Sequence, residues 1–201
     1  MIAIIDYKAG NAPSVLHAVS HLGYHAGLVS DADSLKKANH IILPGVGSAG
    51  ATMQSLKELG IMETLEDCIL REKKLFLGIC VGMQVLFEKS AEDNADCLGW
   101  LKGAVVKYDS SQVRVPQMGW NKVRFAKEAG FDVRDDYFYF VNSFYAVPEN
   151  ISDVWGIVDY GMDCTAAVNR ENIYGMQFHV EKSAKAGLAA LNSFLQFKGG
   201  R

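Results

Sequence analysis

Short apolar runs alternate with amphipathic segments through the first half of the chain. The runs at Ile2–Asp6, His40–Leu43 and Leu75–Gly78 are continuous, which predicts short strands buried on both faces. Between them, apolar residues recur at helical spacing. Helices are therefore predicted over residues 11–22, 34–38, 51–59, 62–72 and 83–89, with a further short strand near residues 28–29. This alternation favours a parallel sheet covered by helices on both faces.

The second half of the chain is richer in predicted strands. They fall at residues 104–108, 122–125, 137–141, 154–158, 165–168 and 173–178, before a last helix over residues 184–197. No internal repeat, low-complexity stretch or linker interrupts the 201 residues. The chain is therefore expected to form one α/β domain, residues 1–201.

Composition excludes several classes of protein. Hydrophobic residues make up 49% and charged residues 21%, which is typical of a globular protein with a substantial core. The net charge is −3 and no basic stripe stands out, so nucleic acid is not expected as a direct partner. The first apolar run ends at Asp6, too short for a signal peptide or a membrane span. A cytoplasmic location is expected.

The segment Gly78-Ile-Cys80-Val-Gly82 has the form G-x-C-x-G between a predicted strand and a helix. With serine, this layout is the nucleophile elbow, a sharp turn that lifts the reactive side chain and needs flanking glycines. The backbone N–H of Val81 would point to where an oxyanion forms. The alternative is a buried structural cysteine. Three further cysteines lack such a setting and are expected to be packing or surface thiols: Cys68, Cys97 and Cys164.

His179 is the best candidate for the base that a nucleophilic thiol requires. It follows a predicted strand, and Glu181 comes two residues later. Residues two apart in an extended chain share a face, so Glu181 is expected to lie alongside the imidazole and hold its tautomer. The alternative is a capped strand end with a surface glutamate.

The remaining histidines are not expected to carry chemistry. His17, His21 and His25 recur every four residues, but Gly23 interrupts the helix and no acidic or cysteine cluster completes a metal site. His40 begins a strand and is interpreted as structural. No metal and no cofactor are expected.

The elbow extended to Gln84, together with the late His179-Val-Glu181, resembles the class I (triad) glutamine amidotransferase family. Five more blocks resemble one branch of that family, the glutaminase subunits of histidine biosynthesis: Asp6–Asn11, Pro44–Gly47, Met118–Asn121, Tyr139–Ser143 and Gln177–Ser183. The resemblance covers essentially the whole chain. It implies a flavodoxin-like fold, with a central, mostly parallel sheet flanked by helices and an added antiparallel region in the C-terminal half.

The resemblance also implies a role for each site residue. Cys80 would attack the side-chain amide of glutamine, with His179 and Glu181 completing a triad. The N–H groups of Val46 and Val81 would form the oxyanion hole. The amino-acid end of glutamine would be held by three further residues: Gly47, Gln84 and Ser143.

A partner is implied in the same way. The ammonia would pass to a HisF-type (β/α)8 cyclase subunit, which converts the nucleotide PRFAR to imidazole glycerol phosphate and AICAR, the two chains forming a heterodimer. The expected docking residues are Asn11, Trp120, Asn121 and Lys182. Glutaminase activity is expected to be low without partner and acceptor.

One motif points elsewhere. Gly45-Val-Gly47-Ser-Ala-Gly50 is a literal G-x-G-x-x-G, the dinucleotide fingerprint. It follows a later strand instead of the first, and the acidic residues at the right distance fall in helical sequence: Glu63, Glu66 and Asp67. The glycines suit an oxyanion loop better.

Three departures from the family pattern leave alternatives open. Gln117 and Asn142 stand where many members have histidine, and Val180 stands where they have proline. The chain could instead supply another acceptor, such as a surface sugar. It could be a silent scaffold, although the triad is intact, or a stand-alone cysteine hydrolase or peptidase, although the docking blocks argue against this.

Overall fold

The computed structural model describes residues 1–8, 11–126 and 128–199. Ala9 and Gly10 of the first family block therefore lie outside the described residues. The helices are α1 (Ala12–His21), α2 (Ala32–Lys36), α3 (Ala49–Glu58), α4 (Met62–Glu66), α5 (Val81–Gln84) and α6 (Ala184–Gln196). A π-helical turn, Asp67–Arg71, continues α4, and 3-10 turns cover Ile151–Asp153 and Val180–Lys182. None of the described helices is long and apolar enough to cross a bilayer.

Thirteen strands are present within the described residues, and all belong to one sheet. They are β1 (Ile2–Ile5), β2 (Ala26–Val29), β3 (His40–Leu43), β4 (Leu75–Ile79), β5 (Lys89–Ser90), β6 (Ala95–Asp96), β7 (Gly103–Lys107), β8 (Gln117–Phe125), β9 (Asp136–Asn142), β10 (Phe144–Pro148), β11 (Val154–Asp159), β12 (Asp163–Arg170) and β13 (Ile173–Met176).

The sheet has a parallel half and a largely antiparallel half. In the order β2-β1-β3-β4-β13 every neighbour is parallel. From β13 onward the pairs are antiparallel apart from β5 with β7, and the sheet branches at β12 into one arm through β10 and another through β11, β8 and β9. This is the predicted fold class, a mostly parallel α/β sheet flanked by helices with an antiparallel addition.

The strands of the parallel half carry the apolar runs because both of their faces are buried. Ile4, Ile42 and Leu77 have no exposed surface. The three residues lie in register on β1, β3 and β4. The core continues into the antiparallel half through tightly packed aromatic rings such as Trp155 and Tyr174.

Some elements differ from their predictions. The helix predicted over residues 83–89 ends at Gln84, because amides of the 97–101 loop take the carbonyls of residues 85–88. β8 begins five residues earlier than predicted, with Gly119 at φ 127° inside it. β10 was not predicted; it pairs with β7 along its whole length.

Candidate active site

Cys80 occupies a sharp turn between β4 and α5. Its backbone φ and ψ are 55° and −112°, a conformation that residues with a side chain rarely adopt. Its N–H donates to the Met176 carbonyl at 2.8 Å, which ties the turn to the neighbouring strand. The elbow predicted from the glycine spacing is therefore present.

The two flanking glycines are required by close approach. A Cβ on Gly78 would lie 2.3 Å from the Gly82 carbonyl oxygen, and one on Gly82 would lie 2.0 Å from the Leu43 carbonyl oxygen. A Cβ on Gly45, in the loop after β3, would lie 2.5 Å from the Gly82 nitrogen. Gly45, the first glycine of the apparent dinucleotide fingerprint, is therefore required by its close contact with the elbow.

The helix that follows Cys80 is short. α5 has four residues, so its partial charge at the N-terminus is small. Val81 is the first residue of this helix, so its N–H has no hydrogen-bond partner within the helix. Val81 lines the cleft beside Cys80.

His179 lies beside Cys80 because their strands are neighbours. β13 runs parallel to β4 with Met176 opposite Ile79, so the chain leaves both strands at the same edge of the sheet. Ligand sites in α/β sheets form at this carboxyl edge. His179 is 1% exposed. Its ring and the Cys80 side chain line the same cleft.

Glu181 reaches the imidazole by a different route from the one predicted. Residues 180–182 form a 3-10 turn, so the chain is not extended between base and carboxylate. The Nδ1 of His179 nevertheless lies 2.7 Å from Oε1 of Glu181, and both side chains are 1% exposed. This contact places the proton on Nδ1 in the neutral ring and leaves Nε2 for the thiol.

The pKa of His179 is raised to about 10. Burial lowers it, but the Cys80 side chain and the Glu181 carboxylate together raise it by more. The arrangement therefore favours the imidazolium form of His179.

The cleft above the elbow has a volume of about 340 Å³. Its lining brings together Val46, Gly47, Cys80, Gln84, Ser143 and His179 among the predicted site residues, with Pro116, Val141, Asn142 and Phe144 on the facing side. This size suits a small, polar, amino-acid-sized ligand.

Glu92 also lines the cleft and was missed by sequence reasoning. Its Oε2 accepts a 3.0 Å hydrogen bond from the Ala49 N–H at the start of α3. Burial raises the pKa of the Glu92 carboxyl, while the Ala49 N–H lowers it and Asp93 raises it further. Glu92 lies in an irregular acidic stretch eight positions after Gln84 and belongs to no recognisable motif. Its place in the cleft is therefore evident only from the fold.

The predicted oxyanion donors differ in orientation. Val46 lies near Tyr7, whose hydroxyl donates to the Pro44 carbonyl at 3.0 Å. Burial raises the pKa of Tyr7, and the Val46 backbone N–H opposes that rise by lying close to the phenolic oxygen. Gly47 has φ 96° and open space where a Cβ would be. Presenting the Val46 N–H to a substrate would need this peptide to rotate.

The residues predicted for docking separate into two groups. Trp120 is 50% exposed on β8, next to Met118 at 63%, and Tyr137 on β9 is 56% exposed. Lys182 is exposed as well. Asn121 is half-buried and accepts a hydrogen bond from Gln117.

Asn11 instead contacts the triad. Its Nδ2 donates to Oε1 of Glu181, the same oxygen that faces His179. This residue is half-buried at the start of α1. It therefore links the start of α1 to the Glu181 carboxylate.

Gln117 and Asn142, two of the three departures from the family pattern, make buried hydrogen bonds through their side-chain amides. Gln117 has no exposed surface; it accepts from the Tyr108 hydroxyl and donates to Asn121. Asn142 is 6% exposed and donates to the Phe144 carbonyl at 3.0 Å. Val180 is fully buried in the 3-10 turn.

Within the described parts of the chain, no group of three or more His, Cys, Asp or Glu residues could hold a metal ion.

Comparison with known proteins gives consistent matches. The family model "Glutamine amidotransferase class-I" matches residues 3–196. The imidazole glycerol phosphate synthase subunit HisH of Leptospira borgpetersenii is 41% identical over 201 residues, covering 96% of this chain and 98% of that one. The subunit named HisH 2 of Methanococcus maripaludis is 38% identical, covering 98% and 99%, and HisH 1 of Campylobacter jejuni is 40% identical, covering 98% and 100%.

Two solved structures share the fold. A crystal structure of a glutamine amidotransferase superposes with a TM-score of 0.78 at 18% identity, covering 98% of both chains. The PurLQS structure from Thermotoga maritima gives 0.73 at 19% identity, covering 96% of this chain and 93% of that one.

Proposed function

Because this chain belongs to the class-I glutamine amidotransferase family, we propose that it is the glutaminase subunit of an imidazole glycerol phosphate synthase. The near full-length similarity to HisH subunits supports the assignment. The observation that carries the chemistry is the contact of His179 with Glu181 beside the Cys80 elbow, at the carboxyl ends of two neighbouring strands.

The proposed reaction begins with attack of the Cys80 sulfur on the side-chain amide carbon of glutamine. A carbon–sulfur bond forms, and the negative charge moves to the amide oxygen, where the N–H groups of Val81 and Val46 would stabilise it. His179, protonated on Nε2, transfers its proton to the amide nitrogen. The carbon–nitrogen bond then breaks to release ammonia and leave a glutamyl thioester.

Water completes the cycle. His179 takes a proton from water as the oxygen attacks the thioester, and the sulfur leaves as thiolate with glutamate as product. Throughout, Glu181 keeps the ring oriented and stabilises the imidazolium. Because Asn11 donates to the same carboxylate oxygen, it limits the rotation of Glu181.

The cleft suggests how the amino-acid end of glutamine is held. Glu92 is the carboxylate in its lining and would pair with the α-ammonium group. Both donors of the Gln84 amide are already used, by the Phe144 carbonyl and by Gln177. Gln84 would therefore offer its carbonyl oxygen, while Gly47 and Ser143 border the remaining space.

The exposed face of β8 and β9 supports a partner subunit. Met118, Trp120 and Tyr137 expose about half or more of their surface on paired strands, an arrangement characteristic of an interface core. We assign this face to a HisF-type (β/α)8 cyclase, which would receive the ammonia and use it to convert PRFAR to imidazole glycerol phosphate and AICAR.

Glutamate release decides between this function and the alternatives. We expect little release from the chain alone and a strong rise with a HisF-type partner and an acceptor analogue. The Cys80→Ala variant serves as the blank. Full activity without a partner would favour a stand-alone hydrolase, and no activity under any condition would favour a scaffold subunit.

A second candidate is a paralogous subunit that supplies ammonia to another acceptor, such as a surface sugar. The amides of Gln117 and Asn142, close to the cleft and to β8, motivate it. Histidine auxotrophy after deletion of the gene supports the histidine pathway. Growth without histidine combined with loss of a surface glycan would support the paralogue.

A further inference from the structure

Two buried glutamine amides form a hydrogen-bonded chain that ends on the Cys80 sulfur. The Phe144 backbone carbonyl accepts from Nε2 of Gln84 at 3.1 Å, and the same nitrogen donates to Oε1 of Gln177 at 3.0 Å. Nε2 of Gln177 then lies 3.7 Å from Sγ of Cys80. The exposed fractions of Gln84 and Gln177 are 2% and 1%.

The direction of these hydrogen bonds is fixed at the Phe144 end. A backbone carbonyl can only accept, so the nitrogen of the Gln84 amide must face Phe144. Its second hydrogen is directed at Gln177, which must then present its oxygen to Gln84 and its nitrogen to the sulfur. A flipped Gln84 would place its oxygen against two acceptor oxygens, and a flipped Gln177 would place its nitrogen against that of Gln84. Either buried mismatch is costly.

We propose that Gln177 is a positioning residue that directs an N–H at the Cys80 sulfur, and that Gln84 couples this N–H to the strand that borders the substrate at Phe144. The inference rests on the proposed glutaminase function and deepens it. An N–H donor stabilises a thiolate more than a thiol. Gln177 therefore favours the reactive form without touching the substrate.

The coupling has a further consequence. Phe144 follows Ser143 in the facing wall of the cleft. Movement of that wall would displace the Phe144 carbonyl and with it the hydrogen bonds that orient Gln84 and Gln177. The position of the strand that borders the substrate is thereby transmitted to the Cys80 sulfur through the side chains of Gln84 and Gln177.

Several charged or titratable groups also face Cys80 and must be held constant in any test. His179 and its partner Glu181 come from the segment after β13, Tyr7 comes from the end of β1, and Glu92 lies across the cleft. Gln177→Met adds no charge beside these groups, so it is the primary comparison. Gln177→Glu adds a carboxylate of its own, and its effect includes that charge.

The test is the rate of Cys80 alkylation by iodoacetamide in the full chain, followed by peptide mass across a range of pH. The variants are Gln177→Met, which removes the donor, and Gln177→Glu, which keeps the shape and replaces the donor with a carboxylate. The control is Gln54→Met, an exposed glutamine on α3. Thermal unfolding of each variant reports on the fold.

We expect Gln177→Met to slow alkylation at neutral pH about tenfold, the scale of one hydrogen bond to a charged group. The pH of half-maximal rate should move upward, and further upward in Gln177→Glu because a carboxylate repels the thiolate. Gln84→Met should slow alkylation in the wild-type background and add little in Gln177→Met, since the two residues act through one chain.

Two negative results are distinguishable. A reactive wild-type Cys80 whose rate and pH dependence are the same in folded Gln177→Met and Gln177→Glu overturns the inference and leaves the glutaminase proposal standing. A wild-type Cys80 that is alkylated no faster than the half-buried Cys97 overturns the glutaminase proposal itself and the inference with it.

Discussion

The Tyr7 hydroxyl donates a 3.0 Å hydrogen bond to the backbone carbonyl of Pro44, two residues before the expected oxyanion donor Val46. The Val46 N–H lies near the same phenolic oxygen. Tyr7 is 3% exposed. Its side chain therefore holds the loop after β3 with the Val46 N–H on the side of the phenolic oxygen.

Tyr7→Phe is expected to raise the glutaminase rate of the isolated chain about fivefold. The substitution removes roughly 1 kcal/mol of hydrogen bonding that opposes rotation of the Val46 peptide. The rate with saturating partner should change less, because the partner would already favour the rotated peptide. Glutamate release with and without partner measures both. An unchanged partner-free rate would contradict the role given to this contact.

Cys80→Ser is expected to lower the pKa of His179 from its value of about 10. The Cys80 side chain then no longer raises that pKa, so Glu181 alone opposes the lowering by burial. In the wild type, a folded pKa raised above the ordinary value of 6.5 contributes stability that is present below about pH 6.5 and is lost as pH rises through about 10. In Cys80→Ser the contribution is smaller, and its loss is complete at a lower pH.

NMR titration of the His179 ring and melting temperatures at several pH values test this expectation. Cys97→Ser is the matched control, because Cys97 is half-buried and lies outside the cleft. A His179 titration that is the same in Cys80→Ser and wild type would show that the sulfur does not set it.

Gly82→Ala is expected to lower the free energy of unfolding by about 3 kcal/mol or to prevent folding. Its Cβ would lie 2.0 Å from the Leu43 carbonyl oxygen, and neither backbone can move without shifting the elbow. Gly27→Ala is the control, since nothing lies within 4 Å of its Cβ position. Chemical denaturation compares the two. Equal stability of Gly82→Ala and Gly27→Ala would mean that the elbow is not held by close packing.

Trp120→Ala is expected to weaken binding of a HisF-type partner at least tenfold, about 1.4 kcal/mol or more, because exposed aromatic residues at the centre of an interface carry much of its affinity. The melting temperature of the chain should barely change. Leu28→Ala, an exposed apolar residue on β2 at the other side of the sheet, is the control. Titration calorimetry gives both affinities. Unaltered binding by Trp120→Ala would place the partner on another face.

The strands and the elbow were predictable because their signals are local. Continuous apolar runs mark strands buried on both faces, and the spacing of Gly78, Cys80 and Gly82 marks a turn that only glycines permit. The pairing of β4 with β13 was not predicted. His179 was expected near Cys80 only because a nucleophilic thiol requires a base.

Features that depend on distant partners were not predictable from local pattern. The short α5 is set by hydrogen bonds from the 97–101 loop, and β10 by its pairing with β7. Glu92 lies in the cleft only because α3 and the segment after β5 come together there. The turn at residues 180–182 was missed because a two-residue spacing suits both an extended strand and a tight turn.

The reactive centre and the exposed face lie on different strands of the sheet. Cys80 and His179 follow strands of the parallel half, whereas Trp120 and the exposed face belong to β8 and β9 of the antiparallel half. A chimera could therefore exchange β8 and β9 with those of a relative and acquire a new partner, provided that β10 and its Phe144 carbonyl are kept. On this architecture, recruitment to a different pathway would begin with the two outer strands of one arm of the sheet.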